Sequence, residues 1–126
     1  MDTNNLISQI PDLISQADCI TLHIPKTDEN EAFMDKNKLA MMKDDAVIIN
    51  TARGAIVDED MLYSEINSGR LRAAFDVFWQ EPYHGKLKEL DSNCFSMTPH
   101  VASTCRGFLE GCRKELDDLI SDLSND

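Results

Sequence analysis

The sequence predicts an α/β fold built on a partial parallel sheet of about four strands, and three observations predict it. Short apolar, β-branched runs alternate with segments of helical character, the rhythm of a parallel sheet with crossover connections. Those runs are continuously apolar, as expected where both faces of a sheet are covered. The chain also closes on a long segment whose apolar residues recur at three-and-four spacing, the signature of an amphipathic helix.

The elements follow in order. Residues 11–17 (PDLISQA) read as a short helical stretch with Pro11 at its first position, where its missing N–H is harmless. Residues 19–24 (CITLHI) form a strand ended by Pro25. Phe33, Met34, Leu39, Met41 and Met42 stand among charges over 30–42, consistent with helical segments lying on the sheet. Asp44 and Asp45 supply a turn into a second strand at 46–50 (AVIIN). Asp58 is the predicted N-cap of a helix through Ile66, with Gly69 ending it in the left-handed conformation that glycine tolerates. A third strand covers 72–78 (RAAFDVF) and a fourth short one lies around Cys94 to Met97. The last helix opens near Ser103 and carries Phe108, Leu109, Cys112, Leu116, Leu119, Ile120 and Leu123 on one stripe, read as core packing.

Composition narrows the function classes. The 126 residues favour one domain, and 12 basic against 23 acidic side chains give a net charge of −11. A phosphate-backbone ligand needs clustered Lys and Arg, so nucleic acid and anionic membrane are excluded as partners. No apolar run approaches the roughly 20 residues of a membrane span, and Met1-Asp2 opens no secretory signal, so the expected location is cytoplasmic. Cys19, Cys94, Cys105 and Cys112 form no CxxC pair; they read as reduced, mostly buried thiols, and no metal site is expected.

In open parallel sheets, ligands bind outside the carboxyl ends of the strands. Asn50-Thr51-Ala52-Arg53-Gly54 follows the second strand, Phe78-Trp79-Gln80-Glu81-Pro82 the third, and Thr98-Pro99-His100 the fourth. A guanidinium, a carboxylate and an imidazole thus follow the same end of three strands. Arg grips a carboxylate through a planar fork, His exchanges a proton near neutrality, and Glu bonded to that ring orients it and favours imidazolium. Together they suit reduction of a 2-keto acid by a hydride carrier. Singly each has a plainer reading: Arg53 as a surface ion pair, Glu81 as a solvated loop carboxylate, His100 as a buried ring bonded to a backbone carbonyl.

The strings NTARGAIVDE (50–59), AAFDVFWQEP (73–82) and TPHVAST (98–104), with ADCITLHIP (17–25) upstream, resemble the D-isomer-specific 2-hydroxyacid dehydrogenases. They match the later half of that family's NAD-binding domain over nearly the whole chain. The resemblance implies a Rossmann-like fold, NAD as cofactor and small 2-hydroxy or 2-keto acids as substrates. It makes Arg53 the substrate-carboxylate clamp, Glu81 the partner of the histidine and His100 the acid/base. It places Asp76 at the nicotinamide carboxamide, Thr51 and Ala52 along the nicotinamide, and His23 and Pro25 beside the adenosine portion. His23, inside an apolar run, also reads as a satisfied core residue, and Asp58 reads first as a helix cap.

Departures from the family pattern are equally plain. Glycines stand only at 54, 69, 85, 107 and 111, so no GxGxxG is present. That motif supplies the turn on which a pyrophosphate rests. Residues 1–126 therefore read as a single truncated NAD-binding-like domain, without the glycine-rich half or the substrate domain. Two functional readings stand: an oxidoreductase module incomplete and inactive as this isolated chain, or a non-catalytic remnant that self-associates or binds a small carboxylate. The strand at 19–24 is expected to form an open edge and to pair two copies into a homodimer.

Overall fold

The computed structural model describes residues 3–124. Four parallel strands, β1 (Cys19–Leu22), β2 (Val47–Asn50), β3 (Arg72–Phe75) and β4 (Phe95–Met97), form one sheet in the order β1-β2-β3-β4. Each strand is a continuous register neighbour of the last, with Ile20 beside Ile48, Ile48 beside Ala73 and Ala73 beside Phe95. The α/β class and the strand count agree with the sequence reading. The strands end earlier than expected: 23–24 and 76–78 leave the sheet and enter the loops that line its C-terminal rim.

Helices α1 (Thr3–Gln16), α2 (Lys36–Met41) and α3 (Glu59–Asn67) pack side by side. Leu39, Leu62 and Ile66 from α2 and α3 join Ile48, Ala73, Phe75 and Phe95 from the sheet in one buried cluster. Each such aliphatic side chain contributes about 2 kcal/mol by leaving water. Helix ends are fixed by local chemistry. The Asp35 carboxylate accepts from Lys38 N at 2.9 Å and the Asp58 carboxylate from Met61 N at 3.0 Å, capping α2 and α3. Gly69, at φ +82°, ends α3 as expected. Past α2, the Arg70 guanidinium donates to Met42 O at 2.6 Å and to Leu39 O at 2.5 Å, the latter a carbonyl that also accepts from Met42 N, and so ties down the end of the helix. Its Nε also pairs with Glu65 at 2.5 Å.

Several expectations are corrected. α1 begins well before Pro11, which sits inside the helix rather than at its first position. In place of helical segments over 30–42, a 3₁₀ turn at Asp28–Asn30 precedes the short α2, with Met34 between them bridging to Val57. Among the described residues, only one sheet face is covered. On the other, Val47, Ile49 and Ala74 are half-buried and Cys19, Thr21, Arg72 and Ser96 are exposed, because no described helix lies over them. The final helix, α4 (Arg106–Ser124), does not pack into the core: Phe108, Leu109, Leu116 and Ile120 are 47–58% exposed. Cys112 on the same stripe is exposed too, while the side chains of Leu119 and Leu123 lie outside the described residues. All four thiols are free, but Cys19, Cys105 and Cys112 are exposed and Cys94 is half-buried. Among the described residues, no helix is long and apolar enough to cross a membrane.

Candidate active site

The C-terminal rim of the sheet is built by three loops, two of them pinned by the buried polar side chains of Asn50 and Asp76. After β2, the fully buried Asn50 side chain accepts from Ala52 N at 3.0 Å and donates to Arg53 O at 2.9 Å, closing a tight turn that holds Thr51–Arg53. Gly54 then passes beneath the chain at Phe78–Trp79. A Cβ on residue 54 would lie 2.2 Å from the Phe78 carbonyl carbon, so this close approach requires glycine. The Arg53 guanidinium stays exposed, with Nη1 donating to Ala52 O at 2.6 Å.

After β3, Asp76 is buried and its carboxylate is the anchor of the third loop. Oδ1 accepts from Thr98 Oγ1 at 2.6 Å and Val101 N at 2.9 Å, and Oδ2 from Ala102 N at 2.9 Å. Burial pushes its carboxyl pKa up. The hydrogen bonds from Thr98, Ala102 and Val101, aided by nearby His100, outweigh that and hold it below the usual aspartate value. Trp79 fixes the loop after β3 by donating from Nε1 to Val57 O at 2.7 Å. Phe78 N donates to Glu81 Oε1 at 3.2 Å, which turns the Glu81 side chain back toward the rim. The Glu81–Pro82 peptide is cis.

After β4, Thr98, Val101 and Ala102 are bound to Asp76 from both sides of His100, which adopts φ +56°, a left-handed conformation that non-glycine residues visit seldom. The ring of His100 meets Glu81, with Nδ1 at 2.7 Å from Oε2 and 3.0 Å from Oε1. The hydrogen bond to His100 and, less, the Arg53 charge draw the Glu81 carboxyl below the ordinary glutamate value. With Nδ1 committed to Glu81, Nε2 is the ring nitrogen left for proton exchange.

Arg53, His100, Thr51 and Asp76 border one cavity of about 370 Å³, with Ala102 and Phe108 beside them. A smaller hollow of about 110 Å³ on the uncovered sheet face runs from Ile49 and Ala74 to Thr51, Asp76 and Thr98. The expected trio is thus brought to one rim: Glu81 bonds His100, and Arg53 shares His100's cavity. Thr51 and Asp76 join them there, and Ala52 stands on the same turn. His23 and Pro25 lie apart, lining another cavity of about 460 Å³ with Lys26, Ala52 and Arg53. The reading of His23 as a core residue is corrected: it lies just past β1, exposed, with Nε2 at 2.8 Å from Thr21 Oγ1.

Two positioning roles escaped the sequence reading. Asn50 clamps the Arg53 turn, and Asp76 clamps the His100 loop. The Asx-turn preference of an Asn ending an apolar strand was a usable signal for the first; nothing local announced the second, because its partners lie 22 to 26 residues away.

Residues 2–102 match the family described as D-isomer specific 2-hydroxyacid dehydrogenase, NAD binding domain. A D-3-phosphoglycerate dehydrogenase of Methanocaldococcus jannaschii is 42% identical over 78 residues, covering 61% of this chain and 15% of its own. A hydroxypyruvate reductase of Thermotoga maritima is 39% identical over 97 residues, covering 73% and 31%. Among solved structures, D-lactate dehydrogenase from Aquifex aeolicus, complexed with NAD and lactic acid, superposes with TM-score 0.72 at 25% identity over 99% of this chain and 44% of that one. A D-isomer specific 2-hydroxyacid dehydrogenase from Xanthobacter autotrophicus Py2, in complex with NADPH and MES, gives 0.71 at 30% identity over 76% and 40%. The chain spans less than a third of the length of these two curated relatives.

Proposed function

This chain belongs to the D-isomer specific 2-hydroxyacid dehydrogenase family through its Rossmann-like NAD-binding domain, and from that membership we propose that its rim is the active-site half of an oxidoreductase acting on small 2-hydroxy and 2-keto acids. The observation that carries the proposal is the bonded Glu81–His100 pair sharing its surroundings with Arg53.

The cofactor fits the residues present at its nicotinamide end. Thr51, Asp76 and Thr98 supply polar groups beside apolar Ile49 and Ala74, a mixture suited to a flat ring bearing an amide. Asp76 Oδ2 receives one described hydrogen bond, so it retains acceptor capacity for that amide. When bound, the dinucleotide supplies the hydride acceptor or donor. Arg53 holds the substrate carboxylate in a fork of two hydrogen bonds and fixes its orientation. His100 Nε2 faces the substrate oxygen, giving a proton as the keto acid is reduced and taking one as the hydroxy acid is oxidised. Glu81 holds the ring in the tautomer with Nδ1–H and stabilises the positive charge that protonation leaves on it.

No GxGxxG stands among these 126 residues; turnover accordingly draws on a glycine-rich turn and a facing substrate domain outside them, and the protein functions in a reducing cytoplasm, consistent with its free thiols. The second reading, self-association, is favoured by the position of β1 at the sheet edge, with unpaired backbone groups on one side; two copies pairing antiparallel there would form the homodimer. Titration of ¹⁵N-labelled protein with pyruvate tests the first reading: the amides of residues 51–54 and 100–102 shift, and Arg53→Ala abolishes the response. An unchanged response in that variant overturns the assignment of Arg53. Sedimentation velocity tests the second, and a monomer across the accessible concentration range refutes the edge-paired dimer.

A further inference from the structure

The cavity of about 460 Å³ at the C-terminal ends of β1 and β2 reverses the charge of the molecule. Of its six lining residues, His23, Lys26 and Arg53 carry basic side chains and none is acidic, on a chain with 23 acidic residues against 12 basic. Neither Lys26 nor Arg53 belongs to any described ion pair, whereas Lys38, Lys43, Arg70 and Lys86 each pair with a carboxylate. His23 uses Nε2 on the Thr21 hydroxyl, which leaves Nδ1 facing no described partner. Lys26 and Arg53 set two positive charges at one hollow whose lining holds no carboxylate, Arg53's nearest described acidic influence being Glu81 on the His100 side, and an anion entering the hollow relieves their mutual repulsion.

Position identifies the anion. Arg53 borders both this hollow and the cavity of His100, Thr51 and Asp76, so the two meet at the Ala52–Arg53 turn. A ligand whose uncharged ring rests beside Thr51 and Asp76 and which extends past Ala52 enters the basic hollow next. We infer that Lys26, assisted by His23, is a phosphate-binding site that holds the pyrophosphate of the dinucleotide. This rests on the cofactor reading above. It gives the anion a side-chain cradle distinct from the backbone N–H cradle that a glycine-rich turn supplies. A lysine serves here as a compact point charge, which tolerates the loose geometry of a loop better than a guanidinium fork does.

The test is a ladder of probes read by binding alone: NADH, reduced nicotinamide mononucleotide and reduced nicotinamide riboside by dihydronicotinamide fluorescence, and inorganic pyrophosphate by amide shifts. The expected order of affinity is NADH, then mononucleotide, then riboside, with about tenfold or more separating NADH from riboside at low salt and the gap narrowing as salt is added. Lys26→Ala removes that gap and leaves riboside binding unchanged, Lys26→Arg retains most of it, and the remote charge control Lys36→Ala has no effect. Pyrophosphate alone shifts the amides of residues 23–26 in the wild type and not in Lys26→Ala.

Equal binding of NADH by wild type and Lys26→Ala overturns the inference, as does pyrophosphate that shifts nothing near Lys26. Should pyrophosphate bind in a Lys26-dependent way while neither NADH nor the riboside binds, the anion site stands as a site for free pyrophosphate, and both the dinucleotide assignment and the nicotinamide reading of the rim fall.

Discussion

Replacing Asp76 by Asn probes the loop that carries His100. The carboxylate accepts three hydrogen bonds, two on Oδ1 and one on Oδ2. An amide offers one acceptor oxygen. If that oxygen keeps Thr98 Oγ1 and Val101 N, the new NH₂ faces the donor Ala102 N–H, so one charge-assisted bond is lost and two donors are left opposed. A hydrogen bond to a charged group contributes about 1.5–3 kcal/mol, and a buried donor without a partner costs about 1–3 kcal/mol. The sum is about 3 kcal/mol, felt first as local opening of residues 98–102. Amide exchange at Val101 and Ala102 should therefore accelerate by about 100-fold, and the thermal midpoint should fall by about 10 °C where the opening couples to global unfolding. The pH dependence follows from the depressed carboxyl of Asp76. A group with a lowered folded pKa contributes its stability fully above its unfolded value of 3.8 and loses it as pH falls through the lower folded value, so wild type and Asp76→Asn converge in acid. Exchange rates at Val101 and Ala102 that match wild type at pH 7 would refute the anchoring role.

Gly54→Ala forces a Cβ into the Phe78–Trp79 backbone and should cost at least 3 kcal/mol in urea unfolding, or abolish the fold. Arg70→Lys keeps the charge but gives up the fork on Met42 O and Leu39 O; a loss of about 2 kcal/mol is expected, and chemical denaturation reads it. Glu81→Gln removes the carboxylate from Nδ1 of His100, so long-range ¹H–¹⁵N spectra at a pH where the ring is neutral should show the Nδ1–H tautomer of wild type giving way to a mixture. An unaltered tautomer in that variant would remove Glu81 from the role of orienting the ring.

Much of the site was legible because the chemistry follows strand ends. Once 46–50, 72–78 and 94–97 read as parallel strands, Arg53, Glu81 and His100 had to emerge at one rim, and the Glu81–His100 contact matches that logic. Helix capping was equally readable, since Asp58 and Gly69 act through neighbours a few residues away. What escaped was long-range. Continuous apolar strands suggested two covered faces, yet the sequence pattern registers only that a residue is apolar, not which element arrives to cover it; Val47, Ile49 and Ala74 remain half-exposed. The stripe on α4 misled for the same reason, because amphipathic spacing declares a face to be buried without naming the surface that receives it. Lys26 passed unnoticed because a lone lysine after Pro25 gains meaning only when the fold sets it on the same hollow as Arg53.

The backbone at His100 decides which replacement can isolate the imidazole's chemistry. At φ +56° an alanine or glutamine would strain the chain, so the lost ring and a reshaped turn would be confounded in any measurement. Asparagine tolerates left-handed geometry better than most side chains and cannot exchange a proton near neutrality. His100→Asn is thus the substitution that silences the side chain while sparing the main chain beneath it.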